Sequence, residues 1–166
     1  ETAEFLTLLP ALQKDLEEPL VTEEQVMDLL DQYSDGGWGF GLGPVVLLLP
    51  EQNRGAAMRT IWGKVNETYR GMFLMMLVGE ADEELGEGAS EFVLGEFPGT
   101  LSDTNESSYY VQQLVEAKHN QDLVLSMLEA MVAHDPQALE ARGGRAAILL
   151  RRGQEEAALK EAAELY

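Results

Sequence analysis

The sequence predicts a mainly α-helical protein: an N-terminal helical domain with a glycine-rich loop, followed by antiparallel helix pairs. Three observations predict it. Apolar residues recur at i, i+3, i+4 and i+7 in successive segments. A helix-start signal stands at Thr22-Glu-Glu-Gln25. Beyond residue 107 the connections shrink to about two to four residues, which forces neighbouring helices antiparallel.

The chain has 166 residues, 45% of them hydrophobic, enough to bury a core and too apolar for global disorder. Thirty acidic residues oppose eleven basic ones, for a formal net charge of -19. That balance repels nucleic acid and anionic membrane surfaces and favours basic partners. The absence of cysteine excludes disulfides, thiol catalysis and cysteine-based metal sites. His119 and His134 show no paired ligand spacing, and no cofactor is expected. The longest apolar runs, 45–49 and 72–78, fall far short of the roughly 20 residues that span a bilayer. Glu1 and Glu4 do not make the basic lead of a signal peptide, so a soluble compartment, cytoplasmic or organellar, is expected, whether or not a targeting segment has been removed. Asn66-Glu-Thr68 and Asn105-Glu-Ser107 match the glycosylation sequon, a triplet too common to carry weight.

The first domain is read as 1–79. Phe5, Leu6, Leu8, Leu9, Leu12 and Leu16 form a helical stripe that Pro10 interrupts and Pro19 closes. After the capping box, Val26, Leu29, Leu30 and Tyr33 share one helix face until Ser34-Asp-Gly-Gly37 ends it. Residues 36–44 hold five glycines in nine positions and read as a loop, pinned by Trp38 and Phe40. Val45–Leu49 is a buried strand or a buried helical turn; periodicity does not separate the two. From Glu51 to Val78 the helical pattern returns through Ala57, Met58, Ile61, Trp62, Val65, Met72, Phe73 and Met76, with one break expected among Gly55, Gly63 and Gly71. Residues 80–106 carry nine acids, no base, four glycines and Pro98, and read as an acidic linker with one apolar clip at Phe92-Val-Leu94 and Phe97. The third part, 107–166, reads as helices near 108–117, 121–134, 137–152 and 154–165.

Asp135-Pro136, sixteen further residues, Gly153 and Glu155-Glu-Ala-Ala-Leu159 together resemble a tetratricopeptide repeat. The family's unit is a helix pair repeated every 34 residues. Counting back 34 from Gly153 reaches His119, between two expected helices. Leu128 and Met131 then occupy packing positions of the first repeat, and Ala146, Leu149, Ala158, Ala162 and Leu165 those of the second. The resemblance covers about 102–166. Two departures stand out: Arg142 and Arg145 lie where the family places large apolar side chains, and the first repeat lacks its turn glycine.

Catalytic signals do not survive inspection. Asp31-Gln-Tyr-Ser-Asp35-Gly36 starts like a calcium loop but has Leu42 where a bidentate glutamate is needed, so a helix stop is the better account. Gly39-Phe-Gly41-Leu-Gly43 lacks the strand before and helix after that a phosphate cradle requires. His134-Asp135 reads as a turn, and Met72, Met75 and Met76 as core with some capacity to serve a groove.

The basic residues carry the functional expectation. Arg142, Arg145, Arg151, Arg152 and Lys160 supply five of the eleven positive charges. The family resemblance implies that the helix bearing Arg142 and Arg145 lines a groove. With Arg152, these side chains are the candidate partner-binding residues, suited to an acidic segment or a C-terminal carboxylate. The competing account pairs them with Glu140, Glu155, Glu156 or the acidic linker. The expected function is thus a non-enzymatic interaction module (adaptor, scaffold or co-chaperone-like) for a protein partner, with a homo-oligomer also compatible. The alternative is a small enzyme or enzyme regulator with its site beneath the loop 36–44; a third is a portion of a larger repeat protein.

Overall fold

In the computed structural model the chain is described over residues 9, 12–13, 20–33, 42–79, 81, 83–101 and 107–164. Among these are nine α-helices and no strand. They are α1 (Glu23–Tyr33), α2 (Gly43–Val46), α3 (Glu51–Trp62), α4 (Arg70–Gly79), α5 (Glu87–Thr100), α6 (Ser107–Glu116), α7 (Gln121–His134), α8 (Leu139–Arg151) and α9 (Glu155–Ala163). The expectations for Phe5, Leu6, Leu8, Pro10, Leu16, Pro19, the stretch 34–41 with Trp38 and Phe40, and Leu165 lie outside the described residues.

The capping box at the start of α1 forms as its residues dictate. The Gln25 backbone N–H donates to Thr22 Oγ1 at 3.3 Å, and the Thr22 N–H donates to Gln25 Oε1 at 2.8 Å. Val26 and Leu30 are buried from this helix. The ambiguous apolar run resolves into α2, one buried turn entered through Pro44. The single break expected between 51 and 78 falls after α3, where Asn66 Oδ1 accepts the Thr68 N–H at 3.0 Å and a 3-10 turn, Glu67–Tyr69, leads into α4. Arg70 closes the C-terminal end of α3: its guanidinium donates to the carbonyls of Val65 and Trp62 and lies 5.0 Å from the Trp62 ring centroid.

The stretch 80–106 corrects the expectation of a linker. It contains α5, whose Ala89, Phe92, Val93 and Phe97 are buried. Phe92 meets the Trp62 ring edge-on at 5.3 Å, and Trp62 Nε1 donates to Glu96 Oε2 at 2.7 Å. Four buried side chains at helical spacing outweigh about 1 kcal/mol for each interior glycine. The apolar core runs from Val26 to Ile148 and crosses the 80–106 stretch expected to separate the two helical parts.

The helices alternate between two layers. In one, α2 packs on α4, α4 on α6 and α6 on α8; in the other, α3 packs on α5 and α5 on α7. Glycines sit where the backbones come closest. A Cβ on Gly55 of α3 would lie 2.5 Å from Gly88 O of α5, and one on Gly144 of α8 would lie 2.8 Å from Val111 Cγ1 of α6. Gly55 and Gly71, expected to pack helices closely or to break them, do the former. Helices α5, α7 and α9 begin at Glu87, Gln121 and Glu155, 34 residues apart. Gly86 and Asn120, one residue before their helices, and Gly153, two before Glu155, are the only positive-φ positions among the described residues.

Candidate functional site

Arg142 and Arg145 lie one turn apart on α8, and Arg152 is its C-terminal cap. Each is engaged by carboxylates of the chain itself. Arg142 Nη1 is 2.5 Å from Glu164 Oε2, and its Nε donates to Pro136 O at 3.2 Å. Arg145 Nη2 stands between Glu161 Oε1 of α9 at 3.3 Å and Glu129 Oε1 of α7 at 3.4 Å. Arg152 Nη1 is 2.6 Å from Asp122 Oδ1, at the start of α7. Arg151 donates to the carbonyl of Val115 in α6.

The helix is thereby tied to all three of its neighbours. The acids differ from those the sequence suggested: Glu129, Glu161, Glu164 and Asp122 are the partners, in place of Glu140, Glu155, Glu156 or the 80–106 stretch. Arg142 and Arg145 share the seam between α8 and α9. Arg152 faces α7 and does not join them.

The seam is only partly matched. Arg145 Nε and Glu161 Oε2 are shielded from solvent and make no hydrogen bond among the described residues. A carboxylate that met the guanidinium edge-on would engage Nε and Nη2 together. The side chains of Arg142 and Arg145 are 17% and 20% exposed, so both guanidinium groups lie beneath α9 and not on an open surface.

Sequence reasoning missed two buried polar residues that position these elements. Arg54, 2% exposed, donates from Nε to Leu49 O at 2.9 Å, from Nη1 to Glu84 O at 3.0 Å and from Nη2 to Leu47 O at 3.1 Å, and it pairs with the Glu83 carboxylate. Its signal was legible: an arginine one turn before Met58 on the apolar stripe of α3. Asn120 grips the same loop from the other side. Its Oδ1 accepts the Leu85 N–H at 2.8 Å, its Nδ2 donates to Glu83 O at 3.2 Å, and its own N–H donates to Glu84 Oε1 at 3.2 Å. With φ of 58° it takes a left-handed turn conformation one residue beyond His119, the position that matches Gly153.

The accessible residues of α4 and α6 have a different character. Met72 and Met76 are half-buried on α4, Tyr109 is 42% exposed on α6, and Gln112 is exposed beside it; Met75 is core. His134 and Asp135 end α7 in a turn, where Asp135 Oδ1 accepts the Gln137 N–H at 2.9 Å. Among the described residues no group of three or more His, Asp or Glu is placed to hold a metal ion. None of their helices is long and apolar enough to cross a membrane. Set against family models, curated proteins and solved structures, the chain matches none.

Proposed function

We propose that the chain is an interaction module similar to tetratricopeptide proteins, an adaptor or scaffold in a soluble compartment that holds a partner protein. The observation that supports this most is the 34-residue recurrence of helix starts at Glu87, Gln121 and Glu155, together with the alternating packing of α2 to α8. Helix pairs stacked in this way create extended surfaces whose chemistry varies along the stack. Here the α4–α6 portion offers methionine, tyrosine and glutamine, side chains that adapt to or hydrogen-bond a partner. The α8 portion offers Arg142, Arg145 and Arg152 for an acidic segment or a C-terminal carboxylate, once their own carboxylates yield.

A photo-crosslinking residue placed at Gln112, compared with one at Glu91 on the outer side of α5, tests the reading. The expected result is one discrete adduct from Gln112 and none from Glu91. Equal labelling from both positions, or from neither, would remove the support.

A further inference from the structure

α9 is held differently from α7, the corresponding helix one 34-residue step earlier. α7 buries Leu123, Val124, Met127, Leu128 and Met131. The positions 34 residues beyond the first four are Ala157, Ala158, Glu161 and Ala162, and of α9 only Ala158 is buried. Leu159 is 71% exposed. Nor does α9 continue the second layer, since it packs on α8 and makes at most marginal contact with α7.

What α9 and its C-terminal cap contribute instead is a pair of carboxylates three residues apart, Glu161 and Glu164, set against Arg145 and Arg142. The match at Arg145 leaves Nε and Glu161 Oε2 without hydrogen bonds. Gly153, at φ 72°, joins α8 to α9 and places no neighbour within 4 Å of where a Cβ would be. A thin alanine interface, an incompletely matched ion pair and a turn held by backbone hydrogen bonds to α8, with no side chain packed over Gly153, describe a helix that opens before the rest of the stack does.

We infer that α9 is a hinged internal occupant of the arginine site on α8, and that Glu161 and Glu164 are the template for its external ligand. That ligand is a helical segment of a partner bearing two carboxylates one turn apart, and it binds Arg142 and Arg145 by displacing α9. The stretch from Leu139 to Arg152 carries four arginines against one glutamate, a cationic island in a chain of net charge -19. Its own acids cover that island when no partner is present. A helix tethered by so short a joint competes at an effective concentration on the order of millimolar, so a free segment binds well only after α9 is loosened.

The inference rests on the interaction-module reading but is tested without the partner. The probe is a labelled synthetic peptide with the sequence of residues 155–164, added to the full chain and followed by fluorescence anisotropy. Glu161→Gln plus Glu164→Gln in the chain should tighten peptide binding at least about tenfold over the unaltered chain. Adding Arg142→Ala and Arg145→Ala should abolish that gain, and a peptide with glutamine at both acidic positions should not bind. Ala158→Asp supplies a second route, since it loosens α9 at its one buried side chain and should give the same gain. Unchanged affinity in both loosened variants, or equal binding of the glutamine peptide, would overturn the inference. The crosslinking comparison at Gln112 does not involve α9, so the interaction-module reading stands or falls separately.

Discussion

Helices α7 and α9 begin one 34-residue step apart in the sequence, yet the forces that hold them differ in kind. α7 is locked by five buried apolar side chains, and the turn before it is pinned by the three hydrogen bonds of Asn120. α9 rests on one buried alanine and two ion pairs, and the turn before it is held by backbone hydrogen bonds to α8 alone, from Gly153 N–H to Leu150 O and from Gln154 N–H to Leu149 O. Each large side chain fully buried contributes about 1.5–3 kcal/mol, whereas an ion pair at the surface contributes about 0–1 kcal/mol. An ion pair partly shielded as Arg145–Glu161 is must also offset its own desolvation. A helical stack can therefore be regular in geometry and uneven in stability. The partner site proposed on α8 lies at the weak seam, where a ligand can compete with what is already bound.

Substitutions can break or sharpen that contrast. The largest effect is expected in α7: Leu128→Ala, at a fully buried position, should lower unfolding free energy by about 2–5 kcal/mol in urea denaturation. Asn120→Ala should cost about 2–3 kcal/mol, because it strains a left-handed turn and strands the Glu83 carbonyl and the Leu85 N–H. Asn120→Gly should recover only the backbone part of that loss, whereas Gly153→Ala should affect α9 alone. Gly55→Ala should destabilise by about 1–2 kcal/mol despite the better helix former, since the added methyl meets the backbone of Gly88. Gly95→Ala, on an α5 surface with no neighbour within 4 Å, should instead stabilise by about 0.5–1 kcal/mol. Leu159→Ala should change stability by less than about 0.5 kcal/mol, because its side chain already lies in solvent. If Leu159→Ala cost as much as Leu128→Ala, the two helices would be equivalent and the contrast would fail.

Much of the helical architecture was legible in the residues. The capping box at Thr22, the bounds of α7 and the break after Trp62 follow from local chemistry that tertiary packing does not override. The 80–106 stretch was not legible in this way. Its glycines and acids argue for a linker, while Ala89, Phe92, Val93 and Phe97 argue for a helix, and only the burial supplied by α3 and α7 decides between them. Asn120 escaped notice because a missing glycine was sought at His119, one residue before the asparagine that takes a left-handed conformation. At the arginines, the residue types and the competing account of internal pairing were legible, though not its partners. Which acids pair with them depends on contacts between helices, and no local pattern records those.

Native-state hydrogen exchange, resolved helix by helix on the full chain, tests the central claim most directly. The account expects the amides of α7 to exchange only with global unfolding. Those of α9 should open at a free energy at least about 2 kcal/mol lower, exchanging roughly 30-fold faster. Equal protection of the two helices would contradict it.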